Sequence, residues 1–342
     1  MLSEGDLKLL DALQTDPRAS WAAVGTALGI GAVTAARRWE SLAARGQAWL
    51  TAYPGGELLA KMALAFVEVD CAPGEALRLA RELARDPHVP TVDYLAGHCD
   101  LHLHVIAPTL RELSDYVQQR LSPRPGVVRI RTSLSPRMFT EGSRWRIRAI
   151  SPVEREALAG RPARSAAPVR FSDLDRALIV ALGEDVRASA ASLALRLGAG
   201  ATTVRRRMEI LLAHGAIRLR CEIARPLSPA PVTAMLWLRV PPDKLETTAR
   251  SISMLPEIRM CAALTSKANL LAVAWLGSHH DADALEARLA AKLPWLEIAN
   301  RAVSLRTVKL MGHLVEGDGR SVGVVPMNFW SPVRPLDGIS PA

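Results

Sequence analysis

The chain has 342 residues, enough at ~100–200 residues per domain for two or more domains. Its 49% hydrophobic and 23% charged residues are a globular composition, and with aromatics at only 4% the core must be aliphatic. A formal net charge of +9 makes a polyanionic partner plausible, while no run approaches the ~20 apolar residues of a membrane span.

The opening Met-Leu-Ser-Glu-Gly-Asp has neither a basic nor an apolar stretch, so no secretory leader is expected and a cytoplasmic location is. Cys71, Cys99, Cys221 and Cys261 are scattered without a Cys-x-x-Cys pair. They read as buried thiols in a reducing compartment rather than a disulfide framework or a zinc site.

Residues 3–50 superpose on 172–219 without a gap when the chain slides by 169 positions, with 22 identities in 48. The protein is therefore a tandem duplication of a unit of about 140 residues.

The first part of each unit reads as three helices. Leu7, Leu9, Leu10 and Leu13 give the first an apolar face, and Asp16-Pro17 stops it. Ser20 is a suitable N-cap for a second helix that Gly29 ends, and a third runs over 32–44 to Gly46. In that third helix Val33, Ala36, Trp39 and Leu42 are expected to face inward. The second unit repeats the signals at Ser189, Gly198 and Gly215. A helix, a glycine turn and an Arg-bearing helix form a helix-turn-helix plan, in which the later helix enters the major groove.

The rest of each unit changes period. Strands are expected over 63–69, 89–96, 101–107 and 127–134, with helices over 75–85 and 110–121. The second unit matches with strands over 233–240, 258–264, 270–276 and 298–305 and helices over 244–255 and 281–293. The order β-α-β-β-α-β is the ferredoxin-like split unit. The expected fold class is α+β: two copies of a winged helix-turn-helix headpiece followed by a ferredoxin-like domain. Headpieces are assigned to 1–55 and 172–222, ferredoxin-like domains to 60–140 and 230–312, an Arg/Pro-rich linker to 141–171 and a tail to 313–342.

This order resembles the Lrp/AsnC (feast/famine) family of transcription regulators. The resemblance rests on Asp6-Leu-Lys-Leu-Leu, Asp16-Pro-Arg-Ala-Ser, Leu28-Gly-Ile, Ala36-Arg-Arg-Trp-Glu-Ser-Leu and Gly46, and on their counterparts from Asp175 to Gly215. It covers about 1–140 and 172–312. The third helix opens on Gly31 and Gly200 where the family usually has Ser, which keeps a cap but loses a hydroxyl. Most members of the family have one copy and dimerise, so this chain resembles a covalent tandem form.

The resemblance implies a sequence-specific regulator of double-stranded DNA. Its DNA-facing candidates are Thr34, Arg37 and Arg38 in the first copy and Thr203, Arg205, Arg206 and Arg207 in the second. Ala32, Ala35, Ala201 and Val204 lie beside them at the helix start. The competing reading is a solvated face of Arg with Glu40 and Glu209. Trp39 and Met208 fit the core better than base stacking.

The family also implies oligomerisation through the ferredoxin-like domains and a small effector, commonly an amino acid, near the turn between their second and third strands. Gly97, His98 and Asp100 are the candidates, against a plain hairpin turn. The second copy has Ser266-Lys-Ala-Asn269 there, so unequal effector sites are expected. His102 and His104 fall on one strand face, but the alternating Leu101, Leu103 and Val105 favour ordinary sheet over a metal site. No metal, cofactor, catalytic residue or membrane partner is expected. One alternative is an enzyme similar to siroheme decarboxylases, which share the architecture, although their His-Cys-Tyr segment with a following Arg is missing here. Another is a ligand-binding protein with weakened DNA binding.

Charge separates the copies. The first headpiece, 1–50, is neutral, whereas 171–220 carries +3 and the linker 143–170 carries +5. The second headpiece is the expected anchor on DNA. The linker is expected to track phosphates or to be a solvated hinge, and the Pro-rich tail to pack on the sheet or hang free.

Overall fold

The computed structural model describes residues 2–158 and 170–336. The linker residues Arg161, Pro162, Arg164 and Pro168 lie outside them. Among the described residues no helix is long and apolar enough to cross a membrane.

Each headpiece is three helices: α1 (Glu4–Thr15), α2 (Trp21–Leu28) and α3 (Ala32–Ala44) in the first copy. A short strand β1 (Ala48–Pro54) and helix α4 (Gly56–Ala60) lead into the first ferredoxin-like domain. That domain is β2 (Ala63–Cys71), α5 (Ala76–Leu83), β3 (Thr91–Gly97), β4 (Leu101–Ala107), α6 (Leu110–Asp115) with a π-turn to Leu121, and β5 (Val127–Leu134). After it come β6 (Met138–Thr140) and α7 (Pro152–Leu158). The second headpiece is α8 (Asp173–Glu184), α9 (Ala190–Leu197) and α10 (Ala201–Ala213), followed by β7 (Ile217–Ile223). The second domain is β8 (Val232–Arg239), α11 (Leu245–Ser253), β9 (Ile258–Ala263), β10 (Leu270–Leu276), α12 (Asp281–Lys292) and β11 (Glu297–Leu310). A final hairpin is β12 (His313–Val315) and β13 (Ser321–Val324).

Local chemistry explains the headpieces. Ser3 and Ser172 form capping boxes with Asp6 and Asp175, satisfying orphan amides at the starts of α1 and α8. Gly29 and Gly198 end α2 and α9 at φ of 66° and 63°, a left-handed conformation that favours glycine.

Within each domain the strand order is that of a ferredoxin-like sheet: β5-β2-β4-β3 and β11-β8-β10-β9. The two sheets join into one because β11 pairs with β8 by its first half and with β3 by its second. The first copy makes the equivalent crossing with two strands, since β5 pairs with β2 and β6 with β9. Pro136 falls in the break between β5 and β6, where proline would remove a ladder donor.

Three layers of core follow. Helices α5 and α6 cover one outer face through Leu79, Leu83, Leu113 and Tyr116, and α11 and α12 cover the other through Ala249, Ile252, Leu285 and Leu289. Between the sheets lie Phe66, Ile106, Met235, Trp237 and Leu271 with Met327 and Phe329 of the tail. The described part of the tail thus packs on the sheets, with Phe329 fully buried. Much of the linker is also built in: Ile147 and Ile150 donate their amides to Gln14 and Asp11, and Leu158 is buried against the headpieces.

The headpieces are held to each other by a pseudo-twofold arrangement. β1 and β7 pair antiparallel, with Thr51 opposite Arg220, positions equivalent under the 169-residue repeat. Arg18 donates to the carbonyls of Val186 and Ala188, and its equivalent Arg187 donates to those of Pro17 and Ala19. The two copies thus clasp each other by the same residue.

Candidate nucleic-acid interface and inter-sheet cavity

In both third helices the inward stripe is Ala35 and Leu42, or Val204, Met208 and Leu211, with Trp39 half-buried against the same core. This corrects two expectations. Val33 is 71% exposed rather than inward, and Ala35 and Val204 are in the core rather than beside DNA. The reason is helical phase: positions 35 and 42 stack two turns apart, and 33 falls on the opposite side.

The outer face of α3 carries Thr34 and Arg37, and that of α10 carries Thr203, Arg205 and Arg206, all exposed. Arg38 and Arg207 differ. Arg207 grips Asp175 with Nε at 2.8 Å and Nη2 at 2.6 Å, and Nη2 also reaches the Arg170 carbonyl. Arg38 sits 3.7 Å from Asp6, the equivalent carboxylate. Both arginines tie the third helix to the capped start of the first. Sequence spacing cannot separate them from their exposed neighbours, but the invariant Asp-to-Arg offset of 32 in both copies is a signal that could have.

At the turn after β3, Gly97 has φ +126° and a Cβ there would sit 2.7 Å from the Arg301 carbonyl oxygen. Asp100 accepts the Cys71 amide at 2.7 Å, and His98 contacts Glu68 at 3.0 Å. In the second copy Asn269 takes the place of Asp100 and accepts the Val240 amide at 2.9 Å, the equivalent bond. The carboxylate of Asp100 therefore closes the hairpin onto the first strand, and asparagine does the same work.

His102 and His104 point between the sheets, packed on Phe66. Burial pushes His102 down to about 4, keeping it neutral. No cluster of metal-ligating residues occurs among the described residues.

A cavity of about 100 Å³ lies between the sheets, its wall including Leu64, Ile106, Met235, Met260 and Val273. Its polar side has a group of residues that the sequence did not single out. Glu222 pairs with Arg220 and, at 2.6 Å, with Arg259. Glu141 accepts from Tyr53 and Ser143. Trp275 has the Arg225 guanidinium 3.3 Å and that of Arg259 3.5 Å from its ring centre, so one lies on each face. Arg225 is 7% exposed, and burial pushes it down to about 9. Asp93 also lines the cavity, raised by burial to about 6 against hydrogen bonds from Thr307 and Ser304. The 169-residue counterparts of Arg220, Glu222, Arg225, Arg259 and Trp275 are Thr51, Tyr53, Gly56, Pro90 and Ile106. Alternating polar residues in 218–225 look solvent-facing in sequence. Only their difference from the first copy hints at another role.

Comparison with known proteins agrees with this architecture. The AsnC-type helix-turn-helix domain matches residues 2–43 and again 171–212, and the Lrp/AsnC ligand binding domain matches 64–144. An uncharacterised HTH-type transcriptional regulator of Pyrococcus furiosus is 26% identical over 150 residues, covering 42% of this chain and 96% of its own. The siroheme decarboxylase NirDL superposes with a TM-score of 0.57 at 14% identity, over 90% of this chain and 93% of its own, a likeness of fold. A Neisseria meningitidis regulator in complex with L-Met aligns over 39% of this chain and 89% of its own, at 21% identity and a TM-score of 0.34.

Paired helix-turn-helix headpieces on a ferredoxin-like ligand-binding scaffold are the domain set of Lrp/AsnC-type transcription regulators. The chain belongs to the Lrp/AsnC family, in a tandem-duplicated form.

Proposed function

We propose that one chain is a self-contained pseudo-dimer that reads an imperfect palindrome through α3 and α10. The observation that supports this most is the reciprocal clasp of Arg18 and Arg187, which with the β1–β7 pair fixes one headpiece against the other. Two unlike recognition helices held at one spacing suit two unlike half-sites. Thr34, Arg37, Thr203, Arg205 and Arg206 face the duplex, and Arg38 and Arg207 set the helix angle. The second headpiece, with its extra Arg205, is the stronger anchor. The cytoplasm is the place of action.

In this reading a small effector, an amino acid or a molecule like it, acts through the ferredoxin-like domains. Gly97, His98 and Asp100 are one place for it, and an Asp100→Ala protein that binds effector normally would remove that assignment. Assembly of several chains through these domains would use the edge strands β5 and β6 or the helix-covered faces, because the inter-sheet face is filled from within the chain.

The test is selection of bound fragments from genomic DNA, followed by affinity measured as salt is varied. Arg205→Ala and Arg206→Ala should each weaken binding and flatten the log–log salt slope by about 1. Unchanged affinity in both would refute the docking. The fold shared with NirDL keeps an enzyme as the second reading. Tetrapyrrole absorbance changes and decarboxylation on adding siroheme would favour it.

A further inference from the structure

We infer that the inter-sheet cavity is a binding site for a small organic carboxylate with an apolar, planar body, seated on Arg225 and Trp275. Arg225 donates from Nη1 to the Ala230 carbonyl at 3.0 Å, while its Nε and Nη2 are buried and find no acceptor among the described residues. Those two nitrogens form one edge of the guanidinium, the edge that takes a carboxylate side-on. The chain uses the same edge elsewhere, where Nε and Nη2 of Arg207 hold Asp175. A buried charged donor without an acceptor is costly, so this edge of Arg225 favours an acceptor group brought from outside the chain.

Neighbouring carboxylates do not fill it. Glu222 is taken by Arg220 and Arg259, Glu141 by Tyr53 and Ser143, and Asp93 by Ser304 and Thr307. Stacking on Trp275 fixes the guanidinium plane, so little side-chain entropy is lost on binding. The remaining wall is mostly apolar, with His104, Thr91 and Thr233 in it, and its methionines, Met138, Met235, Met260 and Met311, are the side chains best able to yield to a planar body. A second cavity shares Arg225, Thr233, Thr307 and Leu310 with the first and continues past Arg306 to the exposed Leu305, a route in for an anion. None of this depends on the DNA-binding reading, because the site is remote from the outer faces of α3 and α10 and occupancy is read without DNA.

The experiment titrates the full chain with phenylacetate, with phenylacetamide as the neutral isostere, by calorimetry and tryptophan fluorescence. Saturable binding of phenylacetate near one per chain is expected, with phenylacetamide at least tenfold weaker. Arg225→Met should lose the binding. Val273→Phe, which fills the cavity and leaves Arg225 in place, should lose it too, so a folding defect in one variant does not decide the matter. Equal binding of acid and amide, unchanged binding in both variants, or no phenylacetate binding at 10-millimolar order (~10 mM, on the order of −3 kcal/mol of affinity) would overturn the inference.

Discussion

Replacing Arg187 by alanine tests whether the two headpieces are one rigid unit. Arg187 donates to the Pro17 and Ala19 carbonyls, both at 2.8 Å, and its guanidinium lies 4.0 Å from the centre of the Trp21 ring. A buried hydrogen bond from a charged group contributes about 1.5–3 kcal/mol; at half-burial we take ~1 for each. The ring adds ~0.5–1. Arg187→Ala should therefore destabilise the headpiece pair by about 2–3 kcal/mol. Arg18→Ala should cost less, about 1–2 kcal/mol, because the position matching Trp21 is Ala190 and no ring is lost. The double variant carries a sign as well. Arg18 and Arg187 repel each other, and that repulsion helps lower Arg187 after the larger effect of burial. Each single variant relieves the same repulsion, so the double should cost more than the sum of the singles by a few tenths of a kcal/mol. Urea denaturation gives the stabilities, and amide exchange at Pro17-to-Trp21 and Val186-to-Ser189 locates the loss. Equal costs for the two arginines, or unchanged exchange protection in Arg187→Ala, would refute the clasp.

Three further outcomes are expected. Gly97→Ala should destabilise the chain by ~1–3 kcal/mol in thermal unfolding, since φ is +126° and the Arg301 carbonyl blocks a Cβ; Gly29→Ala, where φ is +66° in open space, should cost only ~1 kcal/mol. Burial raises the Asp175 carboxyl, but the bonds from Arg207 and Ser172 outweigh it and leave it below its ordinary value. Its stabilisation is complete above about pH 4 and is lost as pH falls through the folded-state pKa, so Asp175→Asn should flatten the acid limb of a stability–pH curve. Lys309, fully buried with Nζ 2.9 Å from the Asp86 carbonyl, is pushed by burial down to about 7. The folded chain then holds fewer protons than the unfolded one between about pH 7 and 10, so stability rises with pH across that window. Lys309→Met should remove that rise and stabilise the protein at pH 7, which denaturation at several pH values checks.

The sequence made the duplication, the helix-turn-helix signals and the β-α-β-β-α-β order legible because each rests on local chemistry: caps, glycine turns and hydrophobic period. What it hid was long-range. Strand β4 looked half-buried, with Leu101, Leu103 and Val105 inward and His102 and His104 outward. Both faces are buried, because the second sheet covers the histidine side. Strand β11 was expected over 298–305 and runs to Leu310, since its last residues gain a partner, β3, that lies in the other copy. Arg38 and Arg207 looked like DNA contacts because spacing along one helix says nothing of Asp6 and Asp175 on another. The glycines at 97 and 29 look alike in sequence, yet only one is blocked by a neighbouring strand.

Fusion explains why the buried charges sit where they do. In a symmetric dimer of identical chains, any residue placed between the two sheets appears twice. A buried arginine would then face its own copy across the dyad, doubling the desolvation cost. A tandem chain lifts that constraint, for the two halves of one interface change independently. This chain has used that freedom on both sides: Arg220, Glu222, Arg225, Arg259 and Trp275 belong to the second copy, where the first has Thr51, Tyr53, Gly56, Pro90 and Ile106, while the buried Asp93 of the first copy matches Ala262 of the second. Thr51, Gly56, Pro90 and Ile106 are uncharged and smaller than their counterparts, and leave room that charged residues would fill. Exchanging the pair at one such position tests the idea directly. Ile106→Trp should crowd the cavity and cost ~1–3 kcal/mol, as overpacking does, whereas Trp275→Ile should release two stacked guanidiniums and cost more. Equal costs in thermal unfolding would mean that the asymmetry of charge is incidental to the fold.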